Sequence, residues 1–381
     1  MLVAHPWLKA GGSEARALHL LDSLQNDFRV TLVTLAPVEW DRLNRAYGTQ
    51  VDPAAVEVAQ APMPALLRRI AVGDALRGAF LQRLCRRLGP RFDVRISAYN
   101  FVDFGAPALQ FVADFSWRQD FRVAHDHTSG ELRGLATHAG PLWRAYRLLV
   151  ERVAGGRGDA LPPDAADTVI ANSQWTAGLL KDLGIDARVI YPPVQALLPL
   201  AEEGPRSSDF VILGRVSPEK RIETAIEIVH GVRARGHDVR LHVVGALDGS
   251  EYARRIRKLG ERSGPWVVLH GAVYGPAKAE LLAAHGFGLH ARQGEAFGIA
   301  VAEMVKLGLI PFVHSFGAPA EIVAEPRLVY DDVDTAVEQI DTVLRDLALQ
   351  ERLRQHLAQR ADLFSAKRFV AEVRQLLQAG L

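Results

Sequence analysis

The chain is predicted to be an α/β protein of two doubly wound, Rossmann-like domains that face each other across a cleft. Three observations predict it. Short apolar, β-branched runs alternate with helical patterns along most of the sequence, as expected of parallel strands joined by crossover helices. The 381 residues are long for one core and comfortable for two. The alternation halts at Tyr191-Pro192-Pro193-Val194, where two prolines stiffen an extended connector, and then starts again.

The elements follow in order. Met1-Leu2-Val3-Ala4-His5-Pro6 reads as the tail of a first strand and is too short to be a signal peptide. A helix over 13–24 leads to a strand over 29–34, and further strands are expected over 92–97, 108–112 and 168–171. Between them, 116–140 shows no clean pattern. Past the connector, strands over 210–213, 239–244, 266–269, 286–289 and 309–313 are separated by helices over 221–235, 250–262, 276–284 and 298–307. Helices over 348–380 carry no site-like residues. The expected division is an N-terminal domain over 1–195 and a C-terminal domain over 196–361, with a last helix over 362–381 packing back on the first. In such sheets ligands lie at the C-terminal ends of the strands.

Composition narrows the class. Hydrophobic residues make up 49% and charged residues 23%, ordinary for a soluble globular chain. A formal charge of +1 implies no global field for nucleic acid, so no nucleic-acid partner is expected. One cysteine, Cys85, excludes an internal disulfide framework and a thiolate metal cluster and fits a reducing compartment. No apolar run approaches the roughly 20 residues needed to cross a bilayer. The expected location is the cytoplasm. One stretch over 66–91 interleaves Arg68, Arg69, Arg77, Arg83, Arg86 and Arg87 with apolar residues. It either makes weak peripheral contact with anionic headgroups at the inner membrane face or is an ordinary helix pair with a solvated face.

The most informative segment is Gly294-Glu295-Ala296-Phe297-Gly298-Ile299-Ala300-Val301-Ala302-Glu303. Glu295 falls on a loop after a strand, and the apolar run from Gly298 reads as a buried helix with Glu303 one to two turns in. The backbone N–H groups of Phe297, Gly298 and Ile299 then point out of a helix N-terminus, a ready anion site. A carboxylate, an anion-ready helix end and a second carboxylate suit a sugar joined through a diphosphate to a nucleoside. A second segment, Gly214-Arg215-Val216-Ser217-Pro218-Glu219-Lys220-Arg221, also joins a strand to a helix. Its cations Arg215 and Lys220 have the spacing to grip a diphosphate from two sides and to stabilise it as a leaving group.

Other segments carry less. Gly11-Gly12-Ser13-Glu14 follows the first strand and opens a helix, with Ser13 as its expected cap. It lacks the third glycine of the dinucleotide fingerprint. His125-Asp126-His127 has the alternation of a metal pair but no third ligand suggests itself. Asp332-Val333-Asp334 matches an Asp-x-Asp metal pattern, yet a helix cap with dipole-favouring acids explains it.

Together these residues resemble the retaining glycosyltransferases of family 4, which have the GT-B fold. The likeness covers nearly the whole chain and is strongest over 170–323. Asn172-Ser173 resembles the family's turn before the linker, Gly214-Arg215 with Lys220 its phosphate-gripping loop, and Glu295 through Glu303 its two-glutamate motif. Ser315-Phe316-Gly317-Ala318-Pro319-Ala320-Glu321 resembles a loop that usually carries two glycines and a glutamate. The resemblance implies that Gly214, Arg215 and Lys220 bind the donor diphosphate and that Gly12 borders it from the first domain. It implies that Glu295 contacts the sugar hydroxyls, that Glu303 contacts the ribose, and that Ala296, Phe297, Gly298 and Ile299 line the donor. It implies no metal and no cofactor, the nucleotide-diphosphate sugar being a co-substrate. One departure stands out. Where many relatives carry a histidine near the anomeric carbon, this chain has Ala113 followed by Asp114. Either Asp114 takes over part of that role, or His125 or His127 swings in, or the enzyme is weakened.

The resemblance implies a hexosyltransferase that retains anomeric configuration, with the donor in the second domain and a glycan, lipid-linked or small-molecule acceptor in the first. Acceptor loops are expected over 37–65 and 99–140, with Tyr99, Asn100 and His127 as contacts. The aromatic residues Tyr99, Phe101, Phe104, Phe115 and Trp117 either stack on a sugar or belong to the core. The rivals are a nucleotide-sugar epimerase of the same fold and a non-catalytic protein that binds sugar nucleotides or glycans.

Overall fold

The computed structural model describes residues 1–8, 11–64, 67, 74–115, 141–155, 165–195 and 206–378. The chain divides into two compact units. The first gathers the described residues up to Pro193 together with those from Ala366 on, and the second gathers the described residues over Val194–Ser365. The last helix is grouped with the first unit.

In the first unit the strands are β1 (Leu2–Ala4), β2 (Val30–Thr34), β3 (Val56–Gln60), β4 (Arg95–Ser97), β5 (Leu109–Val112), β6 (Thr168–Ala171) and β7 (Arg188–Val189). They form one parallel sheet in the order β3-β2-β1-β4-β5-β6-β7. Its helices are α1 (Gly12–Leu24), α2 (Trp40–Tyr47), α3 (Asp74–Leu88), α4 (Pro141–Ala154) and α5 (Gln174–Lys181), with a closing helix at Ala366–Gln378. Every residue of β1, β2 and β5 is buried, which is why these strands are mostly apolar. The core joins Leu18, Leu21, Leu32, Ile96, Phe111 and Ile170 to Phe369, Val373 and Leu376 of the closing helix.

Two elements lie inside the expected acceptor loop over 37–65. Helix α2 and strand β3 occupy much of it. Strand β3 is the edge of the sheet and alternates Val56-Glu57-Val58-Ala59-Gln60 with mostly exposed positions, so no apolar run announced it. In the basic stretch, α3 buries Leu76, Leu81, Leu84 and Cys85, while Arg77 pairs with Asp74 at 2.6 Å and Arg86 with Asp103 at 3.3 Å. Burial alone pushes the Cys85 thiol pKa up.

In the second unit the strands are β8 (Ser207–Leu213), β9 (Leu241–Val244), β10 (Val267–Gly271), β11 (His285–His290), β12 (Ile310–His314) and β13 (Val329–Tyr330), again parallel, in the order β10-β9-β8-β11-β12-β13. The helices are α6 (Ile222–Ala234), α7 (Glu251–Ser263), α8 (Gly275–Ala283), α9 (Ile299–Lys306), α10 (Pro319–Val323), α11 (Val333–Arg345) and α12 (Leu347–Ala361), so the closing helix is α13. Phe210, Phe287 and Phe312 meet across β8, β11 and β12, with the first two rings stacked at 5.3 Å. Both sheets reverse strand order at one internal junction, β1/β4 in the first and β8/β11 in the second. Crevices at such junctions are where doubly wound sheets hold ligands. Among the described residues no helix is long and apolar enough to cross a membrane.

Candidate active site

In the second unit the two segments singled out by sequence leave neighbouring strands at the junction. β8 ends at Leu213 and runs into Gly214, and β11 ends at His290 and runs into Glu295. Gly214 has φ +142°, and a Cβ there would sit 3.2 Å from Lys220 Cε. A Cβ on Gly245, at the end of the adjoining β9, would lie 1.8 Å from the Gly214 carbonyl oxygen. Glycine at both positions lets the loop fold tightly over the strand ends. The loop closes in a single 3₁₀ turn, Pro218–Lys220, and Arg221 caps α6 from the left-handed region at φ 49°.

That turn aims Lys220 at Glu295. Lys220 Nζ donates to Glu295 Oε2 at 3.0 Å, and both side chains are largely buried. Arg292 Nη1 lies 3.5 Å and His290 Nε2 3.7 Å from the same oxygen. Burial works to raise the Glu295 pKa, but Lys220, then Arg292, then His290 outweigh it and hold the carboxyl well below the usual carboxylate range. His290 is itself neutral, since burial and then Lys220 push its pKa down to about 3. Glu295 is therefore a permanent anion, an acceptor of hydrogen bonds rather than a proton donor.

The Glu295 loop is stapled to the loop after β12. Glu295 bridges Gly317, Ala318 N donates to Glu295 O at 2.9 Å, and Gly294 N donates to Phe316 O at 2.8 Å. Gly317 has φ +140°, and a Cβ there would lie 3.0 Å from both Glu295 N and O. Gly298, at φ +101°, caps α9 with no side-chain hydrogen bond at its start. Glu303, one turn into α9, accepts from Lys278 of α8 at 2.8 Å. Burial raises the Glu303 pKa, and Lys278 only partly opposes it. The two glutamates thus differ because two cations, Lys220 and Arg292, face Glu295 and one faces Glu303. Arg215 is mostly exposed, its guanidinium 3.9 Å from Glu219. Ala296 and Phe297 are buried, Phe297 edge-on to Phe364 at 5.6 Å.

In the first unit a polar cluster follows the ends of β4 and β5. Asp114 accepts from Tyr99 Oη at 3.2 Å and from Asn100 Nδ2 at 2.9 Å. Asn100 adopts φ 53° and takes the Ala113 N–H on its Oδ1 at 2.9 Å, which pins the segment. Beneath lie two buried groups. Arg16 of α1 donates to Ala98 O through Nη2 at 2.7 Å, and its pKa falls to about 10 through burial, against attraction from Asp114. The His5 ring stands 5.7 Å from that of Tyr99, and burial followed by Arg16 lowers its pKa to about 3. Gly12 is the first residue of α1, next to Gly11, whose N–H donates to Tyr47 Oη at 2.7 Å.

The structure therefore brings Lys220 and Glu295 into contact and groups Tyr99, Asn100 and Asp114. Glu303 stands apart in its own pair with Lys278. His125, His127 and Trp117 lie outside the described residues. Ser13 is not the cap of α1. It sits inside the helix and donates to Glu14 at 2.9 Å, because Gly11 takes the cap position. Phe104 and Phe115 belong to the core. Asp332 caps α11 by accepting from Thr335 N at 2.8 Å. Sequence reasoning missed His290, Arg292, Lys278, His5 and Arg16. His290 and Arg292 lay in a stretch read as a turn, although the alternation of β11 runs on through His290. Lys278 lies 25 residues from its partner and sends no local signal.

Known proteins share this fold. Residues 10–196 match the family model described as Glycosyltransferase Family 4, and residues 202–361 match the model described as Glycosyl transferases group 1. The chain belongs to this family, and its fold is GT-B. Among curated proteins it is 28% identical over 173 residues to the GDP-Man:Man(3)GlcNAc(2)-PP-Dol alpha-1,2-mannosyltransferases of Candida glabrata and Mus musculus. That match takes in 40% of this chain and only 34% and 35% of the relatives' own length. Among solved structures it is similar to WaaG, a glycosyltransferase involved in lipopolysaccharide biosynthesis, with TM-score 0.70, 16% identity and all of both chains covered. It is also similar to Anabaena HepE in complex with UDP and glucose, with TM-score 0.65, 17% identity and 99% and 98% of the two chains covered. A third is sucrose-phosphate synthase from Thermosynechococcus elongatus, with TM-score 0.70, 16% identity and 99% and 98% covered.

Proposed function

We propose that the chain is a retaining glycosyltransferase that moves a hexose-type sugar from a nucleotide-diphosphate donor to an acceptor hydroxyl without a metal. The observation that carries the reading is the Lys220–Glu295 pair beside the start of α9 at the β8/β11 junction. Here an ammonium and a permanent carboxylate stand side by side, as a ligand with adjoining phosphate and hydroxyl groups requires. Lys220 and Arg215 grip the diphosphate and stabilise its charge as the sugar departs. The first-turn amides of α9 add to that stabilisation. Glu295 accepts hydrogen bonds from the sugar hydroxyls, and Glu303 from the ribose. A phosphate oxygen of the donor assists in deprotonating the acceptor. The acceptor is held by the first unit, where Asp114, set by Tyr99 and Asn100, takes over part of the role that a histidine plays in many relatives. The curated relatives are named for GDP-mannose and a solved neighbour holds UDP and glucose, so both donor bases enter the test.

The test is a thermal-shift series with UDP-, GDP-, ADP- and TDP-sugars, with and without chelator, followed by turnover on candidate acceptors and NMR of the product's anomeric proton. A donor-specific rise in Tm that survives chelation, with transfer and retained configuration, supports the reading. No shift with any donor withdraws the roles of Arg215, Lys220, Glu295 and Glu303. Isomerised donor without acceptor points to an epimerase, and binding without turnover points to a binding protein.

A further inference from the structure

At the other end of the second sheet, three adjacent strands bring a carboxylate and two imidazoles together. Asp209 lies near the start of β8, His242 near the start of β9, and His285 opens β11. β8 runs between the other two. His242 is level with Val211 and His285 with Ser207, and an irregularity in the β8/β11 register follows His285. One candidate ligand atom from each residue lies within 4.8 Å of the other two. His242 Nε2 and Asp209 Oδ2 are 3.6 Å apart. That is close to the roughly 3.3 Å between ligands on a tetrahedral zinc. The His242 Nε2 atom is buried and has no hydrogen-bond partner.

The surrounding contacts set the tautomers. His285 Nδ1 is 2.5 Å from the Leu281 carbonyl oxygen, so it carries the proton and leaves Nε2 as a lone pair. His242 Nδ1 is 2.8 Å from His270 Nε2. A proton on His242 Nδ1 satisfies that contact and leaves the Nε2 lone pair toward Asp209. Asp209 is held in turn by the Arg240 N–H, which donates to Oδ1 at 2.8 Å. Carbonyl, imidazole and amide partners of this kind orient metal-bound side chains. The His242 and His285 ring centroids are 4.2 Å apart. His270 is exposed and marks a route in from solvent.

We propose that Asp209, His242 and His285 bind a divalent transition-metal ion of the zinc type, with a fourth position open to water, and that the ion ties β8, β9 and β11 together away from the donor residues. Two imidazoles and one carboxylate suit zinc and its neighbours rather than calcium or magnesium. The proposal stands independently of the transferase reading, since the ligands sit at strand starts and the donor residues at strand ends.

The experiment is equilibrium dialysis of the full chain, stripped with chelator, against zinc chloride at about 10 μM, with metal counted by mass spectrometry. One zinc per chain is expected, together with a rise in Tm on zinc addition. His242→Ala removes binding, and His270→Ala weakens it by about tenfold through the lost tautomer contact. Asp209→Asn keeps the side-chain shape, so it separates a lost ligand from a misfolded edge. It is expected to weaken zinc binding at least tenfold. No zinc on the parent chain, or equal zinc on the parent and on Asp209→Asn, overturns the proposal. The donor-induced thermal shift is the same with and without zinc.

Discussion

Removing the Lys220 ammonium is the sharpest perturbation of the donor site. At 3.0 Å the Lys220–Glu295 attraction amounts to about 5–6 kcal/mol at an effective dielectric of about 20. Desolvation of two largely buried ions takes back much of it. Lys220→Ala leaves the Glu295 carboxylate buried, with Arg292 still 3.5 Å away as partial compensation. The expected net loss at pH 7 is about 2 kcal/mol, a drop in Tm of about 4–8 °C for a unit of this size. The loss has a defined pH dependence. The folded-state pKa of Glu295 lies below its unfolded value of 4.5, so the pair's contribution is complete above that value and is lost as pH falls toward the folded pKa. The Lys220→Ala deficit is therefore full at neutral pH and narrows in acid. Thermal unfolding of the parent, Lys220→Ala, Glu295→Gln and the double variant, at neutral pH and at about pH 3.5, gives the coupling directly. A coupling of about 1–3 kcal/mol at pH 7 is expected. A coupling under about 0.3 kcal/mol, or a deficit that persists unchanged in acid, refutes the reasoning.

Three further outcomes are expected. Lys220→Ala lowers kcat as well as kcat/KM, the latter by about 10- to 100-fold as for a lost charged hydrogen bond, whereas Glu303→Ala mainly raises the donor KM. Steady-state kinetics showing equal, small effects from both would remove the assignment. Gly214→Ala forces a side chain into φ +142° and against Lys220, costs about 1–3 kcal/mol, and weakens the donor-induced thermal shift. An unchanged shift would mean that the loop plays no part in donor binding. Asp114→Asn keeps the shape beside Tyr99 and Asn100 but removes the charge. It is expected to lower kcat at least tenfold with donor binding intact, and unchanged turnover would exclude Asp114 from the chemistry.

Several parts of the fold were legible because burial leaves a mark on sequence. β2, β6 and β11 lie inside parallel sheets and are buried almost throughout, so apolar residues dominate their interiors. Helix α9 announced itself through Gly298 and an apolar run, and the Glu295–Glu303 segment through its own residues. Edge elements left no such mark. Strand β3 is half solvated, and β7 and β13 have two residues each. The sequence also misplaced the cap of α1, because Gly11 and Ser13 compete for one position and backbone geometry chooses between them.

By itself the sequence determined two α/β units joined near the proline pair, and it nominated a cationic loop and a two-glutamate segment. Only the tertiary structure decided that Lys220 reaches Glu295 across 75 residues while Glu303 is held by Lys278. Local spacing cannot report such pairs. They arise because β8 and β11 become neighbours at the reversal of strand order, and the same adjacency gathers Asp209, His242 and His285 at the opposite end. Strand order and register, which depend on the packing of the whole sheet, turn separate residues into sites.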